Sequence, residues 1–144
     1  MRRRNAGRYR DLFAEAGLDE ILTLPETLPG RYHVWNQFVI RIPDGLRDEL
    51  RAELREKKVG TEIYYPLGLH QQECFRPLGY EPEDLPVTYQ LSHEVLALPM
   101  FPELLEEEQA AVVDGIRAFF ATRRNQDFVS VEMSDAKRKQ REAA

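Results

Sequence analysis

The sequence predicts an α+β fold, in which a small sheet of three or four strands carries helices on one face. Short runs of aromatic and β-branched residues show the two-residue period of strands, and other segments repeat apolar residues every three or four positions, as helices do. Proline and glycine separate the two kinds of segment. The chain has 144 residues, of which 42% are hydrophobic. This composition is sufficient for the core of one domain.

The first predicted element is a helix at residues 2–16. Its apolar stripe includes Tyr9 and Phe13, and Gly17 stands where a helix would end. Residues 25–30, Pro-Glu-Thr-Leu-Pro-Gly, hold two prolines and a glycine. This breaker cluster separates the helix from the elements that follow.

The first strand is predicted at 33–42, followed by a turn at Pro43-Asp44-Gly45. Alternate positions of the strand share one apolar face: Val34, Phe38, Ile40 and Ile42. The next segment, 46–58, repeats leucine every four residues and is predicted to be a helix that covers the sheet. We expect Gly60 to end this helix and 61–65 to form a second strand.

A proline-rich loop is predicted at 66–86, with one helical turn near 71–75. Long loops inside compact domains usually carry function. The periodicity beyond the loop predicts a helix at 87–96, a strand at 96–100 and a helix at 105–121, followed by a polar tail at 122–144 that we expect to be frayed or disordered.

The charge is unevenly distributed. The first ten residues carry five arginines and no acidic residue, whereas residues 11–121 carry 21 acidic and 9 basic residues, and the net charge is −5. An acidic body repels phosphate backbones, so nucleic-acid binding is not expected. No stretch approaches the roughly 20 apolar residues of a membrane helix, and the N-terminus lacks the pattern of a signal peptide. We therefore expect a cytoplasmic protein without membrane contact.

Few residues have the pattern of a chemical site. Phosphate-binding glycine motifs are absent from the sequence, and the single cysteine, Cys74, excludes an internal disulfide. His70 and Cys74 are four residues apart, but nothing nearby completes a metal site, and no metal is expected. Tyr64, Tyr65 and His70 form a sharper set, because two tyrosines at a strand end followed by a histidine-bearing loop are typical of the wall of a polar-ligand site. In the alternative, one tyrosine packs in the core, the other lies on the surface and His70 caps a turn.

Five ordered blocks of the sequence closely resemble the C-terminal region of the sugar aminotransferases (DegT/DnrJ/StrS-like). The blocks are YHVWNQFVIR at 32–41, GTEIYYPLGLHQQ at 60–72, LGY at 78–80, DLP at 84–86 and LALPMFPEL at 96–104. In addition, Arg4–Tyr9 and Leu24-Pro25 resemble the helix between the family's two domains. The family usually reads Tyr-Pro-x-Pro-Leu-His, and Gly68 replaces the second proline here, which frees the backbone beside His70.

The resemblance implies a pyridoxal-phosphate enzyme of the aspartate-aminotransferase fold (fold type I). Such enzymes move an amino group from an amino acid, commonly glutamate, to a keto-sugar nucleotide, and they work as homodimers with active sites at the subunit interface. The resemblance divides the chain into an interdomain helix at 1–24, the small C-terminal domain at 25–121 and the tail. It places His70 in the substrate-facing loop and implies that Tyr64, Tyr65 and His70 are substrate-binding residues.

The lysine that holds the cofactor in this family belongs to the large domain. The four lysines here lie at a helix end or in the polar tail: Lys57, Lys58, Lys137 and Lys139. None is placed to be desolvated, as a Schiff-base lysine must be. We therefore expect no catalytic residue, no cofactor bound by this chain alone and no activity without a large domain. A truncated reading frame, a split gene and an engineered shortening would each account for such a chain.

Two other functions stay open. A related branch of the family uses pyridoxamine phosphate for sugar dehydration, with histidine in place of the cofactor lysine, and the residue that decides lies outside this sequence. From another class of protein, the chain is also consistent with a non-catalytic interaction module that binds a partner through the surface that a large domain would cover.

Overall fold

The fold alternates helices with two short strands, and the computed structural model describes residues 1–123. The helices are α1 (Arg2–Glu15), α2 (Arg47–Glu56), α3 (Pro86–Glu94) and α4 (106–123), and the strands are β1 (Phe38–Arg41) and β2 (Val95–Leu98). Three short 3₁₀ helices lie between α2 and α3, at Leu69–Gln71, Glu73–Leu78 and Pro82–Asp84. Apart from its first two residues, which end α4, the predicted tail lies outside the described residues. No described helix combines the length and apolar character needed to cross a membrane.

The two strands pair antiparallel, with Phe38 opposite Leu98 and Ile40 opposite Leu96. These four side chains point to one face of the sheet, and all are buried. A single bridge extends each side of the pair, from Thr23 to Arg41 on one side and from Glu62 to Ala97 on the other. The α+β class is confirmed, with the sheet reduced to two strands between two single bridges.

The strands are shorter than predicted, for local reasons. In the predicted strand 33–42, Trp35 has a φ of +55°, and its N–H donates to Nδ1 of His33 over 2.9 Å, so the ladder begins only at Phe38. The predicted strand 61–65 contributes one residue, since Glu62 exchanges both backbone hydrogen bonds with Ala97 and the following residues have no strand beside them. Pro99, which lacks an N–H, follows the last residue of β2.

The helix ends show one correct prediction and one wrong one. Gly17 ends α1 with a φ of +64°, and the N–H of Leu18 bonds back to the carbonyl of Phe13 over 2.9 Å. Gly60 does not end α2. Lys58 takes the left-handed conformation there, with a φ of +61°, and the N–H of Val59 bonds to the carbonyl of Leu54. The turn after β1 is as predicted, since Asp44 and Gly45 both have positive φ.

The core lies between the covered face of the sheet and the helices. The ring of Phe38 packs against Tyr9 of α1 at a centroid distance of 5.0 Å and against Phe13 at 6.5 Å. Leu54 of α2 and Ile116 of α4 are fully buried in the same cluster. Helices α2 and α4 approach so closely that a Cβ atom on Gly115 would lie 3.1 Å from Cδ2 of Leu54.

Buried polar groups join α1 to residues that lie 90 to 104 positions later in the chain. The amide nitrogen of Asn5 donates to the carbonyl of Phe101 over 2.9 Å, and the Gln109 amide donates to the carbonyl of Asn5 over 2.8 Å. The hydroxyl of Tyr9 donates to the carbonyl of Pro99 over 3.0 Å. Burial raises the pKa of Tyr9, so it remains a donor at neutral pH. The first helix is therefore packed into the same unit as the sheet.

Candidate functional site

An exposed apolar surface lies on the long loop and the start of α3. We call it the loop face and define it by its exposed large side chains: Tyr64, Tyr65, Leu67, Leu69, Phe75, Leu78, Tyr80, Leu85 and Val87. Elsewhere in the described residues, most large apolar side chains are buried. These side chains lie within 24 residues of the sequence, and large exposed apolar patches mark interaction or ligand sites.

The two predicted tyrosines lie at the edge of the sheet, on the loop face. They follow the single bridge at Glu62, and the side chains of Tyr64 and Tyr65 are 53% and 65% exposed. No hydrogen bond within residues 1–123 engages either phenol hydroxyl. Both hydroxyls are therefore free to donate to or accept from a polar ligand.

His70, the third predicted residue, is buried instead. Its side chain is 7% exposed, and its Nε2 lies 3.1 Å from the carbonyl oxygen of Pro82. A carbonyl only accepts, so Nε2 carries the proton and donates. Nδ1 is buried without a partner among the described residues. The three predicted site residues thus comprise two exposed phenols and one buried imidazole.

Side chains cap the turns of the loop. The N–H of Gly68 donates to Oε1 of Gln71 over 3.0 Å, and the N–H of Glu81 donates to Oδ2 of Asp84 over 2.8 Å. Gly79 takes a φ of +72° where the second 3₁₀ helix ends. The loop therefore has a definite backbone path, which sets where the tyrosines and the histidine lie.

Arg47 is a supporting residue that the sequence reasoning missed. Its guanidinium is buried, donates to the carbonyl of Ser92 near the end of α3 and pairs with Asp48 at 2.9 Å. The hydrogen bond from Arg47 holds the pKa of Asp48 below its usual value, so this carboxylate stays charged at neutral pH. This contact anchors α3 to α2. An arginine in the first turn of an amphipathic helix is usually exposed to solvent, so nothing in the sequence predicts that Arg47 is buried.

The imidazole of His70 is buried, whereas Cys74 is exposed. The described residues contain no group of three or more histidine, cysteine or carboxylate side chains that could hold a metal ion.

The described lysines do not fit the Schiff-base role. Lys57 and Lys58 are both exposed at the end of α2, and Nζ of Lys57 lies 3.6 Å from Glu53. A Schiff-base lysine is desolvated in a pocket, and these two exposed side chains are not. Lys137 and Lys139 lie outside the described residues.

Comparison with known proteins identifies the class of fold. A solved DegT/DnrJ/EryC1/StrS aminotransferase from Brucella abortus superimposes on the chain with a TM-score of 0.69 and 32% sequence identity, covering 82% of this chain and 30% of that one. The fold is therefore that of part of a fold-type I aminotransferase. The chain belongs to the DegT/DnrJ/EryC1/StrS aminotransferase family, whose profile matches residues 1–117.

Two relatives show how much of the family's length is present. A pleiotropic regulatory protein of Geobacillus stearothermophilus is 47% identical over 119 residues, which make up 83% of this chain and 31% of that protein. A UDP-N-acetyl-3-dehydro-alpha-D-glucosamine 3-aminotransferase of Acidithiobacillus ferrooxidans is 40% identical over 116 residues, 81% of this chain and 29% of that protein. The chain thus spans less than a third of the length of these relatives. The family is one of pyridoxal- or pyridoxamine-phosphate enzymes.

Proposed function

We propose that this chain acts as the small C-terminal domain of a pyridoxal-phosphate-dependent sugar-nucleotide aminotransferase. In this proposal residues 1–24 form the helix that leads from the large domain, residues 25–121 form the small domain, and the chain is inactive by itself. The reaction moves an amino group from glutamate to a keto-sugar nucleotide. The chain contributes a wall of the substrate site and part of the surface of a homodimer.

The observation that carries the proposal is the loop face. Nine large apolar or aromatic side chains are exposed on one loop region of a unit whose remaining core is well buried. Exposing them to water is unfavourable, at roughly 25 cal/mol per Å² of apolar surface. A large domain or a second subunit would cover this surface, and relatives about three times as long have the chain length to supply one.

Tyr64, Tyr65 and His70 are the residues that we propose to face the substrate. The two phenols combine an aromatic surface with a free hydroxyl, which suits a sugar nucleotide, since that ligand carries sugar hydroxyls, phosphates and a stacking base. His70 reaches such a ligand when its ring turns outward from Pro82. The cofactor lysine comes from outside the described residues in this proposal.

A hybrid enzyme tests the proposal. This chain replaces the matching 116 residues of the Acidithiobacillus relative, and transamination of that enzyme's own substrate is measured. We expect a hybrid that folds, binds the cofactor and retains activity, whereas the separate chain has none. A folded hybrid that binds the cofactor but transfers no amino group would contradict the assigned role of this domain.

Two hydroxyl deletions in the hybrid test the residues. Tyr64→Phe and Tyr65→Phe each remove one hydrogen bond worth about 1 kcal/mol, so KM for the sugar nucleotide should rise about fivefold with little change in kcat. Tyr32→Phe is the matched control, because Tyr32 is 73% exposed but lies outside the loop face. Unchanged KM in both variants would remove the tyrosines from the proposed site.

A second candidate is a non-catalytic interaction module. It is favoured by the exposure of the loop face in the chain by itself and by the relative named as a pleiotropic regulatory protein. In that case the hybrid is inactive, and the chain alone binds a partner through the loop face. The related pyridoxamine-phosphate dehydratases are distinguished by the product, since they release water from the sugar without transferring nitrogen.

A further inference from the structure

The imidazole of His70 occupies the space beside Gly68 where other residues carry a side chain. A Cβ atom on Gly68 would lie 2.6 Å from Cε1 and 2.8 Å from Nδ1 of His70. It would also lie 2.9 Å from Cγ2 of Thr88. Real Cβ atoms essentially never make contacts below 3.0 Å, so a side chain at position 68 requires both the ring of His70 and Thr88 to shift, unless the backbone of the loop moves.

The backbone of Gly68 does not itself require glycine. Its φ of −60° and ψ of 150° lie in the extended region that every residue adopts. Its N–H donates to Gln71, a bond that alanine would keep. The need for glycine at this position is therefore steric, and it comes from the ring of His70.

In this inward position His70 joins two parts of the loop. Donation from Nε2 to the carbonyl of Pro82 links positions 12 residues apart. Nδ1 is buried without a partner among the described residues, so the inward position satisfies only one of the two ring nitrogens. An outward ring would hydrate both nitrogens, and packing beside Gly68 together with the bond to Pro82 opposes that movement.

We propose that Gly68 is the positioning residue of His70: by lacking a Cβ it admits the imidazole to an inward position on the carbonyl of Pro82, and a side chain at position 68 turns the imidazole outward. The ring is then a two-position group. Only the statement that the outward ring faces the substrate rests on the proposed function. The position of the ring can be measured in this chain without any activity.

Carbethoxylation by diethyl pyrocarbonate, followed by mass spectrometry of the peptides, measures the position of the ring. The chain has three histidines, and the exposed His33 and His93 serve as internal references. We expect His70 to react at least tenfold more slowly than the references in the unchanged chain. In Gly68→Ala its rate should rise at least fivefold. In Gly60→Ala, where a Cβ meets nothing within 4 Å, the rate should not change.

A second variant separates the two close contacts. Thr88→Ser removes Cγ2 and leaves His70 as the group that an alanine at position 68 would touch. If the backbone of the loop yielded instead of the ring, His70 would stay slow to react in Gly68→Ala, and the proposal would be overturned. If the proposal holds, the carbethoxylation rate of His70 rises by the same factor in Gly68→Ala and in the double variant Gly68→Ala/Thr88→Ser.

Nitrogen NMR of the unchanged chain keeps the proposal testable should Gly68→Ala fail to fold. In the neutral form of the ring we expect the proton of His70 on Nε2, slowed in exchange by the bond to Pro82. A neutral ring with its proton on Nδ1, or rapid carbethoxylation of His70 in the unchanged chain, would overturn the inward position. These readouts do not involve transamination, so their failure is distinct from failure of the proposed function.

Discussion

Glu94 is the most heavily hydrogen-bonded carboxylate among the described residues. One oxygen accepts from Nε and Nη2 of Arg41 at 3.0 and 2.7 Å, and the other accepts from Gln90 at 2.7 Å. Burial raises the pKa of Glu94, but the hydrogen bonds from Arg41 and Gln90 together outweigh it and leave the pKa below its usual value. The pair joins the last residue of β1 to the last residue of α3.

We predict that Glu94→Gln lowers the free energy of unfolding by about 1 kcal/mol at pH 7. Because the folded-state pKa is lowered, the carboxylate contributes stability above its unfolded pKa, and this contribution is lost as the pH falls through the folded pKa. Urea unfolding at pH 7 and at pH 3 should therefore show a smaller difference between the two proteins at pH 3. Exposed Glu83→Gln is the control, and a Glu94 effect that is the same at both pH values would contradict the prediction.

Helix α1 contains one glycine in its interior and is followed by another just beyond its end, and the two have opposite requirements. Gly7 has ordinary helical φ, and a Cβ there would meet nothing within 4 Å. Gly17 has a φ of +64°, in the left-handed region, although a Cβ there would also meet nothing. Space is therefore available at both positions, and only the backbone conformation distinguishes them.

Alanine substitutions should shift stability in opposite directions. Gly7→Ala should raise the free energy of unfolding by roughly 0.5–1 kcal/mol, because glycine loses more chain entropy in a helix. Gly17→Ala should lower it by about 1–2 kcal/mol, because alanine is strained at positive φ. Thermal and urea unfolding measure both. Equal signs for the two variants would show that α1 does not end at Gly17 as described.

Taken as one unit, the molecule combines a closed core with one open apolar surface. Phe38, Ile40 and Leu96 seal the sheet against the helices, whereas the loop face exposes aromatic side chains. Under the proposed function, the tyrosines that face the substrate and the lysine that holds the cofactor belong to different domains of the aminotransferase.

We predict that pyridoxal phosphate titrated into the chain gives only the weak, non-saturating absorbance that exposed lysines produce. A specific Schiff base needs a lysine with a lowered pKa and backbone amides that hold the phosphate. Lys→Arg variants at positions 57, 58, 137 and 139 identify any site that does form. A saturable band that disappears with one of these variants would refute the prediction.

Sequence periodicity predicts those features that depend only on residues close together in the chain. The leucines of α2 repeat every four residues and are buried. In β1, Phe38 and Ile40 occupy alternate positions and both face the core, as the two-residue period predicts. Gly17 marks a helix end because the left-handed conformation there depends on the residue itself. The family resemblance added the fold, because its five blocks keep their order along the chain.

The pairing of Glu62 with β2 and the burial of His70 depend on contacts between residues that are far apart in the sequence. A two-residue period shows an extended chain but not whether a partner strand lies beside it, so the residues after Glu62 looked like a strand. His70 is buried because Gly68 leaves room and Pro82 offers a carbonyl, and the path of the loop brings these two positions together. The position of the His70 side chain is set by packing contacts that form only when the chain folds, so the sequence pattern alone does not predict it.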